Sequence, residues 1–462
     1  MTDNLIIDSL NERFDGKDVL TDQDSFQTYG QDWTRFYPVA PCAIVFPRSE
    51  EDLQWLIGFA RSNKLALVPS GGRTGLSAGA TASSGEIVVS MDRMDQILDF
   101  DPINSSVRCQ AGVITENLQN FAIDNGLFYG VDFAAAGSSQ IGGNVATNAG
   151  GIRVIRYGMT REQVLGLRVV TGTGEILNLN KGLIKNATGL DLRHLFIGSE
   201  GCLGFITEVT IKLLPIPGPQ SVLVLGVDEL EHLMPILETF RANMTLSAFE
   251  FFSNQALAKV MAHQDLRAPF ESETNYYALL EVDMTHSDSE QKLMSCFEQV
   301  MEQGWVLDGA MSQSDAQAES LWMLREGISE SITPYTPFKN DISVTPSKVP
   351  DFLKAVDEQV SALYPDFESI WFGHIGDGNL HLNILKPDEM TIADFKEQCA
   401  RCSDVIYQEV QKFDGSVSAE HGIGRLKKSA LKYARSDSEI ELMKAIKVQF
   451  DPDNILNPGK LF

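Results

Sequence analysis

The chain has 462 residues, more than a single hydrophobic core serves, so two domains, at most three, are expected. Its composition, 43% hydrophobic and 22% charged, is ordinary for a soluble globular protein. A formal net charge of −26 argues against nucleic acid and anionic membrane surfaces as partners, and any anionic substrate must be drawn in by local cations.

The first residues, Met1-Thr-Asp-Asn-Leu-Ile-Ile-Asp, lack the basic start and apolar run of a secretory signal. No run approaches the roughly 18 apolar residues of a membrane span, and the chain is read as cytoplasmic. Residues 1–37 are expected to form a helical segment followed by an irregular acidic connection. A strand over 42–46 leads to a helix ending at Asn63, whose start is marked by Ser49 with Asp52 three residues on. A short strand over 65–69 then runs into Ser70-Gly-Gly-Arg-Thr-Gly-Leu-Ser-Ala-Gly79, an order that suits a nucleotide-binding unit.

Strands over 86–91 and 107–111 and a helix over 115–125 precede a second glycine-rich segment, 137–151. Strands over 166–171 and 175–179 are joined by Thr171-Gly-Thr-Gly174, and a third glycine-dense turn, Gly198-Ser-Glu-Gly-Cys-Leu-Gly204, feeds another strand. Pro215-Ile-Pro-Gly-Pro219 stops both helix and central strand and marks the main domain boundary. Beyond it, seven strands alternate with helices over 229–243, 288–303, 314–332, 349–363 and 391–412, which reads as one sheet layered with helices. The six cysteines are too scattered for a disulfide framework, and Cys399-x-x-Cys402 falls in a helical stretch as structural thiols.

Within the second domain, apolar β-prone runs flank Asp377-Gly378, a strong two-residue hairpin signal. Such a turn sets His374 opposite His381, with Cβ atoms about 5 Å apart on one face, close enough to chelate one metal ion. Asn383 joins that face.

The first loop has neither Gly-x-Gly-x-x-Gly nor Walker spacing. Glycine nevertheless lets backbone N–H groups close around a pyrophosphate. Three such loops in one domain point to a long ligand with a central diphosphate, and FAD fits better than a mononucleotide.

Pro69-Ser-Gly-Gly-Arg-Thr-Gly-Leu-Ser-Ala-Gly79, Gly143-Asn-Val-Ala-Thr-Asn-Ala-Gly-Gly151, Gly198-Ser-Glu-Gly-Cys-Leu-Gly204 and Asn457-Pro-Gly-Lys460 resemble the FAD domain of the vanillyl-alcohol oxidase/p-cresol methylhydroxylase superfamily. Gly373-His-Ile-Gly-Asp-Gly-Asn-Leu-His381 and Ser418-Ala-Glu-His-Gly-Ile-Gly424 resemble its FAD-linked 2-hydroxy-acid dehydrogenase branch. The resemblance covers nearly the whole chain. It implies an α+β fold: a two-subdomain FAD-binding domain (38–217), a substrate and metal domain with an antiparallel sheet covered by helices (218–424), and a C-terminal segment (425–462) returning to the FAD domain.

Carried over by motif, Ser70, Gly71, Gly72, Arg73, Thr74, Gly75, Leu76 and Ser77 would cradle the pyrophosphate. Gly137, Ser138, Gly143, Asn144, Thr147 and Gly150 would line a second FAD contact, Glu200, Gly201 and Ile206 the adenine side, and Asn457 the closing tail. No histidine sits in these loops and Cys202 lies on the adenine side, so non-covalent FAD is expected. The resemblance assigns a divalent metal, zinc by the donor set with manganese or iron acceptable, to His374, His381 and Glu420, and the general base to His421. Gly422-Ile-Gly424 suggests irregular backbone that lets Glu420 and His421 line one cavity. Arg325, Ser329, Lys339 and Asn383 would bind substrate. The activity implied is oxidation of a D-2-hydroxy acid, D-2-hydroxyglutarate before D-malate, with hydride passing to flavin N5. D-lactate or glycolate oxidation, or a non-redox reaction of the alkylglycerone-phosphate synthase type, are the alternatives. An electron-transfer flavoprotein or a quinone would take the electrons, and a homodimer is an admissible assembly.

Overall fold

The structure is a computed structural model describing residues 3–462. Positions 1 and 2 of the expected N-terminal segment lie outside the described residues. Two compact units emerge. The first runs to Gly150, resumes over Gly158–Ile216 and takes in Glu420–Phe462; the second is Pro217–Ala419 with the short segment Gly151–Tyr157. The break falls inside the proline-rich linker, while the second unit stops five residues before the boundary placed at 424.

The first unit holds two larger sheets and the two-stranded pair Leu127–Phe128 with Leu214–Pro215. Ala43–Val45, Ile87–Ser90 and Leu67–Ser70 run parallel in that spatial order, with Val19–Leu20 antiparallel at the edge. Helix Glu50–Asn63 makes the crossover: the Ser49 side chain accepts from the Asp52 N–H, Lys64 adopts left-handed φ 56° at the far end, and Leu53, Leu56, Ile57 and Ala60 form its buried stripe. Burying Leu53, Leu56 and Ile57 contributes about 1.5–3 kcal/mol each. The second sheet is antiparallel, in the order Ile97–Asp101, Ser106–Gln110, Gly204–Lys212, Val164–Thr171, Ile176–Leu179. One apolar core joins both sheets through Val45, Ile87, Val107 and Val209.

One local expectation needs correction here. The acidic connection contains a second helix, Gln23–Tyr29, capped by Asp22 on Ser25; it buries only Phe26, so no apolar period betrays it. The second glycine-rich segment is partly helical, Ile141–Thr147, and Gly142 lets that helix pack on Ala111 at a distance that a Cβ would close to 2.5 Å. The C-terminal helix Asp437–Phe450 starts with a capping box of Ser436 and Glu439. Its tail adds a bridge to the parallel sheet, with Leu67 N–H donating to Ile455 O and Asn457 N–H to Leu67 O.

The second unit is a seven-stranded antiparallel sheet in the order Asp308–Met311, Gln220–Val227, Tyr276–Asp283, Leu246–Ser253, Glu368–Gly373, Asn379–Leu385, Phe338–Ser343. Helices Asn254–His263 and Asp315–Glu326 share a buried cluster with Ala248, Phe252, Tyr277, Ile370 and Phe372 on one face. The former helix was not expected; its stripe of Ala256, Leu257 and Val260 is too small to stand out from the strand before it. No helix among the described residues is long and apolar enough to cross a membrane.

The tail is held by the buried Lys447 ammonium, which donates to Asp451 Oδ2 at 2.7 Å, Leu456 O at 2.8 Å and Cys202 O at 3.0 Å. Lys447→Met strands the Asp451 charge and should cost about 3–5 kcal/mol in chemical denaturation, whereas Lys447→Met with Asp451→Asn should recover part of that loss.

Candidate functional site

In the first unit a cleft of about 980 Å³, open solvent at its mouth included, lies between the glycine loops. That is the upper range of ligand pockets and suits a dinucleotide. Ser70, Gly71, Gly72, Arg73, Thr74, Gly75 and Ser77 line it, together with Gly143, Asn144, Thr147, Glu200, Gly201, Ile206 and His421. Leu76, Gly137, Ser138, Gly150 and Asn457 are not among its walls. Ser138 acts from behind: its carbonyl would lie 2.1 Å from a Cβ on Gly72, so only glycine lets the two loops meet. Asn457 braces the cleft, donating to Gly79 O at 2.9 Å and Glu200 O at 2.8 Å.

The main-chain N–H groups from Gly72 to Ser77 donate to no partner among the described residues. A half-buried loop of six free N–H groups is an anion cradle, and this chain fits the diphosphate of FAD. Arg73 is not a free phosphate cation, since its guanidinium donates to Gly71 O at 2.7 Å and pairs with Asp92 at 3.2 Å. Two polar wall residues escaped the sequence reading. Asp32 lies under Gly75 with Oδ2 unpartnered, its pKa raised by burial, and Gln140 donates to Asp92 while its Oε1 is unpartnered. Cys202 does not line the cleft, and burial pushes its thiol up to about 12.

Glu200, on the cleft wall, also has a backbone role. Its buried carboxylate accepts the N–H groups of Ile423 and Gly424, each at 2.7 Å. Burial raises its pKa and these two bonds oppose the rise. The Ser77 hydroxyl reaches the carbonyls of His421 and Gly422, each at 2.9 Å. A Cβ on Gly424, at φ 51°, would lie 2.0 Å from Ser77 O. The backbone over Glu420–Gly424 is irregular, as the two glycines suggested, and it delivers His421 to the cleft wall.

On the sheet of the second unit, Phe372 opposes His381, so the register is two residues away from that of a tight Asp377-Gly378 turn. The connection is the five-residue loop His374–Gly378, in which Asp377 and Gly378 N–H groups donate to His374 O. A slip of two preserves the face, so the imidazoles still meet, ring centroids 5.4 Å apart. Asp341 opposes His381 and Lys339 opposes Asn383 on the next strand.

Behind each histidine stands a buried acid that sequence reasoning missed. Glu250 Oε1 lies 2.8 Å from His374 Nδ1, and Asp341 Oδ1 lies 3.9 Å from His381 Nδ1. Asp341 also accepts the Ala419 N–H at 3.1 Å and the Asn379 amide at 2.9 Å. Burial pushes Asp377 up to about 6, and the neighbouring Glu250 and Asp341 charges push the same way. A face this rich in acids draws cations. Arg325 is buried, stacks over Phe372 at 4.7 Å and pairs with Glu250 at 2.8 Å, with its Nε unpartnered. Lys339 remains solvent-accessible while surrounding protein desolvates it and lowers its pKa. Ser329 is exposed and not part of the buried group; the buried serine of that turn is Ser331.

Residues 41–180 match the family model described as an FAD binding domain, and residues 216–461 match that of FAD linked oxidases, C-terminal domain. The chain belongs to the FAD-linked oxidases. It is 56% identical over 462 residues to a D-2-hydroxyglutarate dehydrogenase of Stutzerimonas stutzeri, covering 100% of both chains. A protein of the same name from Xanthomonas citri is 50% identical over 462 residues, 100% of this chain and 98% of the other. Among solved structures, p-cresol methylhydroxylase with substrate bound superposes with TM-score 0.75 at 16% identity, covering 99% of this chain and 96% of that one. The chain therefore has the vanillyl-alcohol oxidase/p-cresol methylhydroxylase fold and is an FAD-dependent dehydrogenase.

The cradle can be tested directly. Gly72→Ala should yield folded protein without visible flavin absorbance, because the added methyl must displace the Ser138 carbonyl; full flavin content would refute the close approach.

Proposed function

We propose that the protein oxidises a D-2-hydroxy dicarboxylate, D-2-hydroxyglutarate before D-malate, to its 2-oxo acid, using non-covalent FAD and one divalent cation. The observation that carries the dicarboxylate is Arg325: a buried guanidinium on the histidine-bearing face, one edge on Glu250 and its Nε without a partner. A substrate's distal carboxylate satisfies that donor with a charge-assisted hydrogen bond. Full-length relatives of the same name support this choice over D-lactate or glycolate.

His374, His381 and Glu420 are the proposed metal ligands. Glu250, an acceptor, makes His374 carry its proton on Nδ1 and leaves the Nε2 lone pair for a cation. Ala419 is fastened to Asp341, the strand partner of His381, and Glu420 follows by one peptide bond, about 3.8 Å between Cα atoms. Two histidines and a carboxylate with an open position suit catalytic zinc, and manganese or iron would also be accepted.

Held by the glycine loops and by His374, His381 and Glu420 respectively, flavin would supply a hydride acceptor for C2 and a divalent cation a Lewis acid for the substrate's 2-hydroxyl. His421, on the cleft wall with its carbonyl held by Ser77, takes the hydroxyl proton as general base, a task for which neutral imidazole is suited near pH 7. Lys339 and Asn383 orient the substrate from adjacent strands, and Ser329, exposed, contributes least. Electrons then leave to an electron-transfer flavoprotein or a quinone, since the sequence carries no haem motif or iron–sulfur cysteine set.

Arg325→Ala should raise KM for D-2-hydroxyglutarate about 10- to 100-fold while D-lactate turnover changes little; equal losses would return the assignment to a monocarboxylate. His421→Asn should lower kcat by about 10²- to 10⁴-fold with flavin content retained. Anaerobic D-2-hydroxyglutarate should bleach the flavin of the wild-type protein, and failure to bleach with any 2-hydroxy acid would sink the whole reading.

A further inference from the structure

Glu250 sits mid-strand between Phe249 and Phe251, and its side chain is 1% exposed. A lone carboxylate there would be unstable, and two cationic or proton-donating partners compensate it from opposite oxygens. Oε1 accepts a hydrogen bond from His374 Nδ1 at 2.8 Å, and Oε2 faces Arg325 Nη2 at 2.8 Å, an ion pair without hydrogen-bond alignment. Sheet register brings this about: Phe251 opposes Gly373, so one step along sets Glu250 beside His374, and Arg325 reaches the same face from helix Asp315–Glu326 by stacking over Phe372.

We infer that Glu250 is a positioning residue shared by two subsites: one carboxylate orients the metal-ligating His374 and seats the Arg325 that reads the substrate's distal carboxylate. The inference rests on the metal and dicarboxylate reading above. It makes the two subsites interdependent, because whatever draws Arg325 off Oε2 concentrates negative charge on the carboxylate that supports His374. Metal affinity therefore responds to Arg325, a residue that is not a ligand.

The test uses the full-length FAD-loaded protein stripped of metal, with Zn²⁺ affinity measured by competition against a chromophoric chelator. Glu250→Gln cannot accept from His374 and also pair with Arg325 through charge, and should weaken Zn²⁺ binding about 10- to 100-fold at unchanged flavin content. Arg325→Met should tighten it about threefold or more, and this gain should disappear in the double variant, the mark of a shared partner. Wild-type affinity in Glu250→Gln, or strictly additive effects in the double variant, would overturn the bridge. Were Glu250→Gln not to fold, Arg325→Met decides alone, and an unchanged Zn²⁺ affinity refutes the inference. Absence of Zn²⁺ binding by the wild-type protein would overturn the metal reading itself, and the bridge with it.

Discussion

The chain leaves the first unit at Ile216 and must return to it at Glu420, and the return is secured by Glu200. Its carboxylate, accepting both the Ile423 and Gly424 N–H groups, replaces strand pairing for a stretch that has none. Ser77 ties the same stretch through its hydroxyl and its carbonyl, the latter accepting from Arg425 and Leu426. Glu200 and Ser77 both come from glycine loops of the cofactor cleft, so the elements that shape the cleft also fix the backbone of His421. Gly422 and Gly424 are required because side chains there would strike Glu200 and Ser77.

Charge is used in a consistent way. With 63 acidic against 37 basic side chains, the protein sets some of its cations against buried acids. Lys447 knits the tail, Arg153 pairs with buried Glu281 at 2.9 Å and Arg325 with buried Glu250. The Gly72–Ser77 loop offers main-chain N–H groups instead, which carry no counter-charge to desolvate and have no partner among the described residues.

The fold was legible where chemistry is local. The cap at Ser49, the proline-rich boundary and the glycine loops are short-range signals, and each corresponds to an element or break in the structure. The helices Gln23–Tyr29 and Asn254–His263 bury too few apolar side chains to show a period. The backbone role of Glu200 was not legible, because a glycine-flanked carboxylate reads as a ligand contact and only the folded chain reveals which N–H groups it accepts. Glu250 was hidden for the opposite reason: set in Ala-Phe-Glu-Phe-Phe, it looks like an interruption in an apolar strand, although its parity with Ala248 and Phe252 puts it on the face that carries the histidines.

That parity also explains why the histidine pair survived an error in the turn. Strand side chains alternate with period two, so lengthening the connection to His374–Gly378 shifted the register by an even number and kept His374 and His381 on one face. An odd shift would have separated them. The same alternation carries Glu250 in behind His374 from one neighbouring strand and Asp341 beside His381 from the other, while Asn383 and Lys339 continue the row. A four-strand stretch of one sheet face thus collects acids, imidazoles and amide at fixed spacing. What the sequence could not supply was the order of strands, and without it neither acid could be assigned to the histidine it supports.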